Sequence, residues 1–191
     1  LDPALNVVDP NNLDPLLDTA ELQFPHYEQP SISIVIPVYN DYRMTMYCLT
    51  TLLENTIDVA YEVIVGDDCS TDLTATMAQR VANITIVRNE NNVGFVENCR
   101  AGAAVARGDH ILFLNNDTGL CQNWLAPLLK VLQDDDTVGI VGPKLLFADG
   151  KLQEAGGIVW QDGSAWNFGR MDNPEKPEYN FLREVDYISG A

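Results

Sequence analysis

Residues Ile32-Ser33-Ile34-Val35-Ile36-Pro37-Val38 decide the fold class. Five of the seven are β-branched apolar residues, and the run is too short for a core helix, so it reads as a strand buried on both faces. Working outward, Met44–Leu53 carries an apolar helical face, and Tyr61–Gly66 repeats the strand signature. Thr71–Ala82 is expected as a helix with Ser70 as its N-cap, followed by a third strand at Ile84–Arg88. Val93–Arg107, rich in Ala and Gly, reads as a helix that can lie close on a sheet, with Gly108 as its stop. His110–Leu114, Trp124–Leu132 and Val138–Val141 continue as strand, helix and strand. Strands alternating with helices at this spacing imply an α/β protein with a doubly wound, mostly parallel sheet and helices on both faces.

Two flanks differ from this alternation. Residues 1–30 hold five of the ten prolines, six acids and no Lys or Arg, with Asp-Pro at Asp2-Pro3, Asp9-Pro10 and Asp14-Pro15. This reads as a solvated leader or linker with at most a short helix over Leu16–Leu22. Residues 144–191 place short apolar pieces and Trp160, Trp166, Tyr179 and Tyr187 among Gly, Asp, Asn and Pro, as irregular β structure and loops. The expected organisation is therefore 1–30, 31–143 and 144–191.

Composition narrows the partners. Eleven Lys plus Arg against 28 Asp plus Glu give a net charge of −17, which excludes a nucleic-acid backbone as partner and means that any phosphate ligand needs a cation. No apolar run reaches the ~18–20 residues of a spanning helix. Cys48, Cys69, Cys99 and Cys121 lie 21 to 30 residues apart with no CxxC, and His26 and His110 are the only histidines. Zinc and a disulfide framework are both unsupported; reduced thiols of a cytoplasmic protein fit the pattern.

In an open α/β sheet, ligands bind beyond the carboxyl ends of the strands. Here those ends read Pro37-Val38-Tyr39-Asn40, Asp67-Asp68, Arg88-Asn89 and Asn115-Asn116-Asp117. Neither GxGxxG after the first strand nor GxxxxGK[ST] is present, which argues against dinucleotide Rossmann enzymes and P-loop NTPases. A diphosphate approaching these acids requires a bridging Mg²⁺ or Mn²⁺, and Asp117 is the best-placed ligand. Asp67 reads as a helix cap and Asp134-Asp135-Asp136 as a solvated turn. His110 reads as structural and the cysteines as small core residues. Arg88 is open to a phosphate role, and Trp160 and Trp166 to sugar stacking or packing.

Four ordered strings, Ser33-Ile34-Val35-Ile36-Pro37-Val38-Tyr39-Asn40, Val63-Ile64-Val65-Gly66-Asp67-Asp68-Cys69-Ser70-Thr71-Asp72, Asn92-Val93-Gly94-Phe95 and Phe113-Leu114-Asn115-Asn116-Asp117-Thr118, resemble the family 2 inverting glycosyltransferases. The resemblance implies a GT-A fold and a nucleotide-diphospho-sugar donor. It places Tyr39 on the base, with Pro37 and Asn40 beside it, and Asp68 as acceptor of the pyrimidine N3–H of a UDP or dTDP donor. Asn116 falls near the ribose and Asp117 on Mn²⁺ or Mg²⁺. Asn115 stands where the family's DXD motif has its first acid, which implies weaker protein ligation of the metal.

Leu152-Gln153-Glu154-Ala155-Gly156-Gly157 to Trp166-Asn167 resembles the stretch before the acceptor site in bacterial surface-polysaccharide enzymes. The acceptor implied is a glycan or a lipid-linked sugar, with the full enzyme peripheral to the inner face of a membrane. The catalytic base is expected beyond Ala191, since neither Glu154 nor Asp186 matches its position. Two rivals remain at this point: a nucleotide-binding module without catalysis, and a phosphoacceptor signalling domain built on Asp67-Asp68, Asp117 and Lys144.

Overall fold

The computed structural model describes residue 13 and residues 15–190; residues 1–12, Asp14 and Ala191, with the first two Asp-Pro pairs, lie outside the described residues. In chain order the strands and α-helices are β1 Leu22–Gln23, β2 Ile32–Val38, α1 Tyr42–Asn55, β3 Tyr61–Asp67, β4 Val81–Ala82, β5 Thr85–Arg88, α2 Phe95–Ala103, β6 His110–Phe113, α3 Leu125–Asp134, β7 Leu145–Leu146, β8 Leu152–Glu154, β9 Gly157–Val159 and β10 Ala165–Asn167. Contacts divide the chain between Asn123 and Trp124 into two units.

The first unit contains a four-stranded parallel sheet in the order β5-β3-β2-β6. All seven residues of β2 are buried, as the continuous apolar run requires of a strand covered on both faces. Helix α2 lies on the face of Val35 and Ile64. The close approach needs Gly102, where a Cβ would stand 2.5 Å from Val35 Cγ1. Right-handed crossovers put α1, which links β2 to β3, on the opposite face. Chain order reverses between β2 and β6, so the switch point of the sheet opens there.

Pro37 inside a central strand costs no ladder bond. Leu114 N–H donates to Val35 O, so the odd-numbered residues of β2 face β6, and β6 has stopped pairing at Phe113.

Three segments differ from the sequence expectation. The helix expected over Thr71–Ala82 is a 3₁₀ segment, Leu73–Gln79, and its cap is Asp72, which accepts from Thr74 N–H; Ser70 is not the cap. The chain then leaves the helical path because Val81–Ala82 pairs in parallel with Leu22–Gln23.

That pairing also corrects the solvated leader for its described part. Phe24 is buried edge-on against Tyr61, and Asp18 pairs with Arg43; a single 3₁₀ turn, Pro15–Asp18, replaces the short helix. No strand forms at Val138–Val141: Asp135 ties Thr137 and Val138 into a turn, and Gly142 sits against Ile188 where a Cβ would be 2.4 Å from Cγ2.

The second unit, from Trp124 onward, holds α3 and two antiparallel pairs, β7 with β8 and β9 with β10. Tyr187 bridges to Gly157, and its hydroxyl donates to Asn167 Oδ1 at 2.7 Å. Glu154 is fully buried and accepts from Ser189 Oγ at 2.5 Å.

Candidate functional site

The carboxyl edge of the first unit is built by hydrogen bonds between strand-end loops. After β2 the chain turns sharply: Asn40 and Asp41 both have φ near 59°, the left-handed region that Asn and Asp tolerate best. The turn leaves Tyr39 exposed at 55%. Asn40 is clamped from both sides, its N–H donating to Ser70 Oγ at 2.8 Å and its Oδ1 accepting from Thr71 N–H at 2.8 Å. Asp41 precedes α1 but makes no cap bond with its side chain. Asp72 does that work from thirty residues away, accepting from Tyr42 N–H at 3.0 Å with Oδ2 while Oδ1 takes Thr74 N–H.

Asp67 and Asp68 are both buried, and each has a defined set of partners. Asp67 forms an ion pair with Arg88 and accepts from Ser70 N–H, while Arg88 also donates to Ser70 O at 2.8 Å. Asp67 therefore braces a turn and does not cap a helix, and Arg88 is engaged by the protein. Asp68 accepts from Asn89 Nδ2, Val93 N–H and Gly94 N–H, each at 2.9 Å. Burial pushes its pKa up, but the three donors outweigh burial and the net shift is downward. Three bonds leave one of a carboxylate's roughly four acceptor positions. With both acids committed in this way, neither offers the free carboxylate that a phosphoacceptor domain needs.

Beyond β6, Asn116 Nδ2 donates to Thr45 Oγ1 at 2.9 Å, and the Cys48 thiol reaches Asn115 O at 3.6 Å. Burial, with the Asp117 charge adding to it, pushes that thiol up to about 12, so it stays neutral. Asp117 is exposed, with no hydrogen bond or ion pair among the described residues. No cluster of three or more His, Cys, Asp or Glu able to hold a metal ion is found among them. A hard cation of the Mg²⁺ or Mn²⁺ kind binds through one or two carboxylates plus phosphate and water oxygens, and one free carboxylate at the switch point fits that donor set.

The structure thus gathers Pro37, Tyr39, Asn40, Asp68, Asn116 and Asp117 on one edge of one unit, since all stand at or just beyond strand ends of a single parallel sheet. Sequence reasoning gave Thr45 and Asp72 no role, expected Ser70 only as a helix cap and noted Asn89 only as a strand end, although all four hold that edge together. Their signal is polar side chains at positions where helix stripes and turns otherwise bury apolar ones. The remaining expectations resolve individually. Asp134, Asp135 and Asp136 are all exposed, but Asp134 ends α3 and pairs with Lys130, so only Asp135 and Asp136 belong to the expected turn. Cys48 and Cys99 are buried, whereas Cys69 is half-buried and Cys121 exposed, so only two of the four are core residues. Trp160 and Trp166 are exposed. Among the described residues no helix is long and apolar enough to cross a membrane.

Comparison with known proteins agrees with the motif reading. The family described as Glycosyl transferase family 2 matches residues 33–178. An uncharacterized Mycobacterium tuberculosis protein is 31% identical over 145 residues, covering 75% of this chain and 42% of that protein. An uncharacterized glycosyltransferase of Haemophilus influenzae is 29% identical over 110 residues, covering 58% and 37%. The glycosyltransferase GlyG of Streptococcus pneumoniae is 26% identical over 115 residues, covering 58% and 38%. The chain thus spans 37–42% of the length of these three relatives. Among solved structures, Staphylococcus aureus TarS 1–349 in complex with UDP-GlcNAc aligns with a TM-score of 0.49 at 19% identity, covering 61% of this chain and 40% of that one. The four motifs, the parallel sheet that presents them and the match over residues 33–178 make the chain a member of glycosyltransferase family 2.

Proposed function

We propose that this chain is the donor-binding part of a metal-dependent inverting glycosyltransferase that takes a UDP- or dTDP-sugar and transfers the sugar to a glycan or lipid-linked acceptor. The observation that carries the reading is the hydrogen-bonded joining of three strand-end segments, 39–45, 67–72 and 115–117, at the carboxyl edge of the sheet. Tyr39 offers an exposed ring for the base, and Asp68 an acceptor position for a pyrimidine N3–H. Asn116 lies toward the ribose, and Asp117 would hold Mn²⁺ or Mg²⁺. When bound, the metal supplies positive charge beside a leaving diphosphate on a chain whose net charge is −17.

The reaction is a single displacement. An acceptor hydroxyl attacks the anomeric carbon, a carboxylate base takes its proton, the bond to the diphosphate oxygen breaks, and configuration inverts. In this reading the enzyme acts in the cytoplasm, with the whole protein associated with the inner face of a membrane.

Calorimetric titration with UDP, dTDP, GDP and ADP, with and without Mn²⁺, tests the reading. It expects UDP or dTDP to bind best and Mn²⁺ to tighten binding. Equal affinity for all four, or binding indifferent to Mn²⁺, overturns it.

A further inference from the structure

Thr45 lies in the buried stripe of α1 with Met46, Cys48, Leu49 and Leu52, where an apolar residue would pack without an unsatisfied hydroxyl. It is fully buried. Its hydroxyl has one proton, and that proton goes to Asp41 O at 3.0 Å, the same carbonyl that receives Thr45 N–H. What the hydroxyl has left are lone pairs, and these face Asn116 at 2.9 Å.

That inventory settles which end of the Asn116 carboxamide points where. An acceptor on Thr45 demands the NH₂ end, so Asn116 Oδ1 is turned away from α1 and takes no hydrogen bond among the described residues. One turn further along α1, the Cys48 thiol holds the carbonyl of Asn115, so the strand-end turn is gripped at two successive residues. Asp41, which fixes the Thr45 proton, ends the same turn that carries Tyr39 and is anchored next door by Asp72 on Tyr42 N–H. The loop presenting Tyr39 and the turn presenting Asn116 and Asp117 are thereby joined through a single buried hydroxyl.

We propose that Thr45 is a positioning residue for the nucleotide: its hydroxyl, committed as a donor to Asp41 O, forces the Asn116 carboxamide to present Oδ1 as an acceptor for a ribose hydroxyl. This rests on the nucleotide-sugar reading above and adds to it the polarity of the contact, with the ribose O–H donating and Asn116 accepting. The consequence is discrimination between a nucleotide that carries the contacted sugar hydroxyl and one that lacks it, set by a residue that touches neither.

Thr45→Val keeps the shape of the side chain and removes the hydroxyl; Thr45→Ser keeps the hydroxyl. With Mn²⁺ present, affinities of the parent and both variants are measured for UDP, 2′-deoxy-UDP and 3′-deoxy-UDP. The parent prefers UDP to at least one deoxy form; Thr45→Val weakens UDP by about 3- to 12-fold, the worth of one hydrogen bond, and leaves that deoxy form within about twofold. Thr45→Ser restores the preference.

A merely structural role would lower all three affinities together, and that result overturns the proposal, as does a preference that survives in Thr45→Val. The side-chain amide resonance of Asn116, followed by NMR without nucleotide, separates the two levels. If it moves in Thr45→Val and not in Thr45→Ser while the parent binds none of the three nucleotides, Thr45 orients Asn116 but the nucleotide reading fails, and the ribose role falls with it. If it does not move in Thr45→Val, the positioning role itself is wrong.

Discussion

Asp67 and Arg88 are register partners across β3 and β5, and their side chains close the same pair as an ion pair at the carboxyl edge of the sheet. The two ends of this pair differ in burial. Asp67 is almost fully buried, whereas the Arg88 side chain is 43% exposed, so solvent screens part of the attraction. Removing Arg88 nonetheless leaves a buried carboxylate with Ser70 N–H as its remaining side-chain bond.

Arg88→Ala is therefore expected to cost about 1–3 kcal/mol, the penalty for stranding a buried acceptor. Adding Asp67→Asn to it should recover part of the loss, because the stranded charge is gone while the acceptor for Ser70 N–H remains. Urea unfolding of both variants checks this. A double variant less stable than Arg88→Ala would mean that the pair is not what holds the edge.

Asp68 gives a pH signature. Its folded pKa is depressed, so its contribution to stability is complete above the unfolded carboxylate value of ~3.9 and is lost as pH falls through the lower folded value. Asp68→Asn removes that slope and also turns an NH₂ toward one of the three donors, which should cost about 1–3 kcal/mol at neutral pH. Urea midpoints of parent and variant between about pH 6 and pH 2 should converge as the pH falls. Parallel curves would show that other groups carry the acid sensitivity.

Much of the central sheet was legible because a strand covered on both faces has to be apolar throughout. Ile32–Val38 has the same bounds in the sequence pattern and in the structure, and Tyr61–Asp67 and His110–Phe113 shift by a single residue. The 3₁₀ segment after Asp72 was not legible, because what redirects it is a partner some sixty residues away at Leu22–Gln23. At Val138–Val141 a four-residue stretch with Gly139 inside it and Gly142 after it carries no information about whether another strand is there to receive it. The site was legible to the extent that it consists of strand ends. Its ties were not: Thr45 and Asp72 act through hydrogen-bond partners that only the folded chain brings near.

Gly102 sets how closely α2 approaches the sheet. Alanine is the better helix former by about 1 kcal/mol, so helix propensity alone favours Gly102→Ala. The added Cβ would stand 2.5 Å from Val35 Cγ1, on a fully buried side chain of the central strand. Overpacking of this kind typically costs about 1–3 kcal/mol, so the net effect is destabilising. A lowered urea midpoint confirms it. A raised midpoint would mean that α2 moves outward at no cost.

The last prediction separates a functional carboxylate from a solvated one on a chain that has 28 acids. Asp117 and Asp135 are both exposed, but they differ in their partners. Asp135 accepts from Thr137 N–H at 2.9 Å and from its hydroxyl at 2.6 Å, bonds that close a local turn and draw its pKa down. Asp117 has no such partner among the described residues and stands just past β6, beside the point where strand order reverses. If it ligates the cation, Asp117→Asn removes the charge that a hard divalent ion requires while nearly preserving the shape of the side chain. Nucleotide binding should then become indifferent to Mn²⁺. Asp135→Asn removes one negative charge as well, so it controls for the general field of the protein, and there the Mn²⁺ dependence should persist. Titrations of UDP with and without Mn²⁺ on the two variants give the comparison. Loss of Mn²⁺ dependence in both, or in neither, would show that net charge and not ligation by Asp117 governs how the cation assists binding.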